Sequence, residues 1–105
     1  MDIKAMIESL GLPIAYNHYA EGECPAPPFL AYLFPNSNNI SADNIVWKSV
    51  TEVSLELYTE KKDRKTEQLV EGALTEHGIF WNKSEVYIDS EKLYEVLYSF
   101  EMEVD

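Results

Sequence analysis

Cysteine is almost missing from this chain. Cys24 stands alone, so no intrachain disulfide can form and no cage of paired thiolates can hold a metal. An unstapled fold with one free thiol fits a reducing compartment. Histidine is nearly as scarce, with only His18 and His77. No H-x-x-x-H, H-E-x-x-H or C-x-x-C spacing occurs, and a zinc site would need at least three protein ligands. The four glycines are scattered, which removes the glycine-rich loop that cradles a phosphate. Serines are numerous, yet none sits in G-x-S-x-G. Cys24 lies in the acidic setting Gly22-Glu23-Cys24-Pro25, which disfavours a nucleophilic thiolate. These absences predict no enzyme, no cofactor and no metal.

Long apolar runs are missing too. Nothing approaches the roughly 18–20 residues of a membrane span. Met1-Asp2-Ile3-Lys4 opens on an amphipathic pattern without the basic and apolar regions of a signal peptide, and the expected location is the cytoplasm. Positive charge is the last shortage: eight basic residues against nineteen acidic ones give a net charge of −11. Such a surface repels a phosphate backbone, so neither direct sequence-specific nucleic-acid binding nor membrane binding is expected.

What remains is the material of a folded domain. The 105 residues, 46% hydrophobic and 12% aromatic, suit one α+β domain over 1–105. At this size about two-thirds of the surface can be buried, roughly 6,000 Å² staying exposed of roughly 17,500 Å².

Ile3, Met6, Ile7 and Leu10 keep the spacing of one helix face, with Asp2 as expected N-cap and Gly11 as stop. Residues 13–28 read as irregular, with a short edge strand within Ile14–Tyr19. The run FLAYLF, Phe29 to Phe34, is apolar on both faces and reads as a central strand. Pro35 to Asn44 is polar and rich in asparagine, a mobile hairpin tip ordered by a partner. Val53, Leu55 and Leu57 alternate with Glu52, Ser54 and Glu56 in a strand that starts as early as Ile45, since Trp47 keeps the register. Asp63 caps a second helix with Leu69, Val70, Ala73, Leu74 and His77 on its inner side and Glu67, Glu71 and Glu76 elsewhere; Gly78 ends it. Glu85–Ile88 is a strand and Asp89-Ser90 a turn. Leu93, Val96, Leu97 and Phe100 also fit a helix, but the alternation from Tyr94 to Val104 and its aromatic and β-branched content favour a strand. The expected architecture is a mainly antiparallel sheet of four, at most five, strands with two helices on one face.

That arrangement leaves a sheet face bare and more aromatic surface than one core needs. His77 near a helix C-terminus and His18 between tyrosines read as structural; Glu52, Glu56, Glu101 and Glu103 read as solvated strand faces. One charge feature is unusual. Lys61, Lys62, Arg64 and Lys65 crowd a helix N-terminus, which costs roughly a few tenths of a kcal/mol and points to an acidic partner. The candidate protein-interface residues are Phe29, Tyr32, Asn38, Asn39, Lys61, Lys62, Arg64 and Lys65.

Ser41-Ala42-Asp43-Asn44, the long strand ending Glu56-Leu57-Tyr58-Thr59-Glu60-Lys61-Lys62-Asp63, the helix after it, and Tyr87-Ile88-Asp89-Ser90-Glu91-Lys92-Leu93-Tyr94 running into Tyr98-Ser99-Phe100 together carry a resemblance. From about Pro28 to Phe100 the chain resembles small tail-assembly proteins of phages and prophages of Gram-positive bacteria, of the tail-terminator or head–tail joining type. The resemblance implies an α+β subunit without catalytic residues. It implies a homo-oligomeric ring, a hexamer in the virion, that caps the tail tube and joins it to the head. The implied partners are the chain itself, the tail tube protein and a neck or head-completion protein, in the host cytoplasm and in the virion tail or neck. A ring requires two different patches per subunit, each of about 800 Å². Size and charge also fit a second class, an acidic DNA-mimic that inhibits a nucleic-acid-binding protein.

Overall fold

The computed structural model describes residues 3–20 and 22–104, with the side chains of all of these except Ala42, Trp47 and Val104. The expected N-cap Asp2 and the side chain of Trp47 lie outside the described residues. Two helices, α1 (Ile3–Glu8) and α2 (Arg64–Glu76), accompany six strands: β1 (Ile14–Tyr16), β2 (Phe29–Leu33), β3 (Ile40–Ala42), β4 (Ile45–Thr59), β5 (Asn82–Ile88) and β6 (Leu93–Val104). The sheet runs β1-β2-β4-β6-β5, with β3 paired to β4 off this path. Only β1 and β2 run parallel; the other pairings are antiparallel. The fold is α+β as expected, but four or five strands was too few. β1 falls within the short edge strand expected over Ile14–Tyr19; the strand not foreseen is β3, whose three residues are too few to show a period.

Strand β4 organises the sheet. Its odd residues Val53, Leu55 and Leu57 are buried and registered to Phe100, Tyr98 and Val96 of β6, with Leu30 of β2 opposite Leu57 and Met102 in the same core. Ile3, Met6 and Ile7 of α1 and Val70, Ala73 and Leu74 of α2 complete the same core. The C-terminal segment is a strand, and Leu97 interrupts its alternation only because it lies on the other face, opposite Glu56. On that outer face Phe29 stacks on Tyr58 with centroids 5.1 Å apart. Tyr19 covers Phe29 edge-on and donates its hydroxyl to the Leu30 carbonyl. The irregular segment therefore seals one corner of the face.

The helix ends follow local chemistry. Asp63 accepts from both the Thr66 amide (3.1 Å) and the Thr66 hydroxyl (2.6 Å), satisfying an amide that the helix leaves open. Gly78 takes φ +73, the left-handed conformation that lets the Ile79 amide reach back to the Leu74 carbonyl. Two expectations for α2 reverse. Leu69 is 52% exposed, whereas Glu67 is only 3% exposed, because the inner face of the first turn meets the lysines beside β5 rather than apolar side chains.

The asparagine-rich stretch is hydrogen-bonded rather than a free tip. The Asn38 amide donates to the Val50 carbonyl and the Glu52 amide to the Asn36 carbonyl, Ser37 bridges Thr51, and β3 then pairs with the start of β4. Asp43 and Asn44 both have left-handed φ, 52° and 66°, as the two central residues of a tight hairpin turn require. Among the described residues, β6 accompanies β4 as far as Ser49, and beyond it the hairpin of β3 and the start of β4 forms a two-stranded arm. This arm helps stretch the molecule to 50 × 29 × 23 Å.

Replacing Leu55 by alanine is expected to cost about 2–5 kcal/mol in urea unfolding. Ser54→Ala, on the opposite face, should cost less than about 1 kcal/mol. A reversed order would mean that the two sheet faces are exchanged, since one residue of slip turns the strand over.

Candidate protein-interaction surfaces

The basic run before α2 does not form one free patch. Lys62 reaches Oε2 of Glu67 at 2.7 Å and also pairs with Glu85 of β5. From β5, Lys83 reaches Glu67 at 3.2 Å and Glu71 at 2.8 Å. Glu71 also accepts the hydroxyl of buried Tyr98 at 2.8 Å. These groups clip the first half of α2 onto the outermost strand, where no apolar side chain does so. Burial alone would raise the Glu67 carboxyl, but hydrogen bonds from Lys62 and Lys83 outweigh it and hold it below the ordinary 4.5. Hydrogen bonds from Glu67 and then Glu85 raise Lys62, and the bond to Glu71 raises Lys83. Lys61, Arg64 and Lys65 remain exposed.

The other expected interface residues disperse. Phe29 is buried in its stack with Tyr58. Asn38 donates to Glu52 at 2.8 Å and to Glu101 at 3.2 Å, and the Asn39 side-chain oxygen accepts the Val50 amide. Both asparagines thus fasten the arm to its own sheet. Tyr32 is half-buried in a group of three rings, 5.2 Å from Tyr16 and 5.6 Å from Phe34. Tyr16 and Phe34 are exposed.

The most conspicuous exposed apolar groups lie where the sequence pattern did not direct attention. Ile40, Ile45 (68% exposed) and Val46 (57%) form the tip of the arm. Phe80 is 83% exposed in the segment between α2 and β5, beside an open groove of about 960 Å³ that continues over Ser99–Glu103. An Ile-Val pair at the head of a polar hairpin was the signal available for the arm. Phe80 had none, because an isolated aromatic after a helix reads equally well as core.

The outer face carries Glu52, Glu56, Glu95, Glu101 and Glu103. Burial and then the neighbouring charges of Glu56 and Glu91 raise the Glu95 carboxyl, partly offset by the Tyr58 hydroxyl. Burial, followed by its bond to Glu56, pushes the Tyr58 phenol far up. Among the described residues no group of three His, Cys, Asp or Glu is placed to hold a metal ion, and no helix is long and apolar enough to cross a membrane. No protein-family model matches the chain, and no curated protein sequence does so either.

The ion-pair cluster sets an acid limb. A carboxyl held low in the folded state stabilises the fold above its unfolded value. That contribution disappears as pH falls through the folded value. Glu67, from 4.5, and Asp63, from 3.8, both act in this direction, whereas raised Glu95 favours the fold as it takes up its proton. Stability is therefore expected to fall steeply below about pH 4.5. Glu67→Gln should lower it by about 1–3 kcal/mol at pH 7 and flatten the acid limb. Lys62→Glu, which sets a carboxylate against Glu67 and Glu85, should also destabilise the monomer. Unchanged urea midpoints for both variants at pH 7 would mean that the cluster does not hold α2.

Proposed function

We propose that this chain is a non-enzymatic structural subunit of a phage-type tail or neck assembly, joined to copies of itself in a ring. The ring caps the tail tube and meets a neck or head-completion protein. The observation that carries the assembly reading is the arm: a two-stranded ribbon, anchored by asparagines to its own sheet, that presents Ile40, Ile45 and Val46 to solvent. A monomer gains nothing from exposing three branched aliphatics together on its thinnest part, while a subunit that inserts this tip into a neighbour buries them.

A ring also needs a second, different patch. The Tyr16–Tyr32–Phe34 group supplies one. Tyr32 is registered to Leu55, and the nine residues from there to Val46 span about 30 Å along the strand, enough to separate donor tip and acceptor. The identification with tail assembly itself rests on the sequence resemblance. The hydrogen-bonded stretch at residues 36–42 supports assembly through a stiff arm rather than through a loop that becomes ordered on contact.

Subunits of charge −11 repel one another, so screening aids their association. Size-exclusion chromatography with light scattering is expected to show oligomers, up to a hexamer, growing with ionic strength toward 1 M, where the Debye length is about 3 Å. The double substitution Ile45→Asp and Val46→Asp should abolish them while leaving the melting temperature of the monomer unchanged. A chain that stays monomeric at millimolar concentration in high salt, and ignores purified tail tubes, is not a ring-forming terminator.

A further inference from the structure

Strand β6 is paired along its whole length on one side only. On the β4 side its register runs from Tyr94 to Val104, whereas β5 accompanies it only from Leu93 to Ser99. Past Asn82, which is registered to Ser99, the chain leaves the sheet through Trp81 and Phe80 toward α2. Among the described residues, no backbone hydrogen bond from another segment takes up the far side of Phe100–Glu103. Every second residue of an edge strand points its N–H and C=O outward, and such an edge is a template for an added strand. This edge bears no proline or lysine, its only charged residues being Glu101 and Glu103, which turn away like-charged strands, and the open groove of about 960 Å³ runs along it. Phe80 stands beside that groove as the most exposed of the large apolar side chains.

We infer that this edge is a docking site for an extended segment of another protein, added as a strand in line with β5, whose residues alternate between apolar and basic. The alternation follows from β6 itself. Phe100 and Met102 belong to the core face, so alternate residues of the added strand come beside them and Phe80. Glu101 and Glu103 point to the outer face and are exposed, with Glu52 registered opposite Glu101. Of these three carboxylates, Glu103 pairs with Lys48 at 3.0 Å, whereas among the described residues Glu52 and Glu101 accept only from the neutral Asn38 amide and Asn36 beside it, which leaves their charge uncompensated. Lysine or arginine on the intervening positions of the incoming strand supplies the missing charge, and like-charge partners are excluded on the same ground. A second copy of this chain does not fit this edge: none of its described strands alternates apolar with basic residues. The site is separate from the arm tip and the ring of rings at Tyr16, and it holds whether or not the chain closes into a ring.

The test uses the full chain and three capped eight-residue peptides: one alternating valine and lysine, one alternating valine and glutamate, and the valine–lysine peptide with proline at a central position. Amide chemical shifts and hydrogen exchange of the labelled protein are followed during titration. The valine–lysine peptide is expected to bind, to slow exchange at outward-facing amides within Phe100–Glu103, and to weaken as salt is added. The double variant Glu101→Lys, Glu103→Lys should lose at least tenfold in affinity with its fold intact by amide dispersion, and the proline peptide should not bind. The inference is overturned if the lysine and glutamate peptides bind alike or neither binds. It is equally overturned if protection appears at β1 or β3 instead, or if those amides are already protected by self-association without peptide.

Discussion

Everything in this fold hangs on the backbone pairing of β4. It takes β6 along one side over eleven registered positions, Ser49 to Thr59, and β2 and β3 in succession along the other. A strand shared in this way must keep its period of two without a break, because a slip of one residue would turn Val53, Leu55 and Leu57 to solvent and Glu52 and Glu56 into the core. The apolar layer beneath the helices, the position of the α2 clip and the projection of the arm all follow from that one register.

The parts of the fold that were legible in sequence are those with a period. Val53–Leu57 and Tyr94–Val104 alternate over enough residues for the signal to outweigh local exceptions. Asp63 and Gly78 bound α2 by side-chain and backbone chemistry that acts within one turn. The parts that were not legible depend on residues far apart. Glu67 sits on a helix face that reads as polar, and its burial is made tolerable by Lys62 together with Lys83, sixteen residues on. Leu69 reads as core and is exposed, since the start of α2 meets Lys83 of β5 and Lys62 rather than an apolar layer. The asparagines of residues 36–39 read as a loop because their composition is that of a turn. Their side chains instead bond to Glu52, Glu101 and the Val50 amide, contacts that composition does not encode.

The large negative charge is accommodated by placement. Glu52, Glu101 and Glu103 on the outer face are exposed or lie beside asparagines, where solvent screening reduces their repulsion; Glu95, half-buried beside Glu56, instead has its carboxyl raised. The one strongly buried carboxylate, Glu67, is given two lysines and the helix N-terminus, which favours negative charge. The scarce cations are consequently concentrated where they hold the fold. Lys62, which in sequence belongs to a run of four basic positions, is fixed by intramolecular pairs, while its neighbours Lys61, Arg64 and Lys65 remain at the surface. A charge run in sequence is thus divided by the fold into a structural part and a solvated part.

Among the described residues, the arm beyond Ser49 pairs only with its own return strand, and none of its described side chains belongs to the buried core. Its described side chains can therefore change without a toll on folding, provided Asp43 and Asn44, or residues equally at ease with left-handed φ, keep the turn. Body and arm can diversify at different rates. The same body could be refitted to a new neighbour by exchanging a handful of tip residues, while any change along Ser49–Thr59 must be answered in three strands at once.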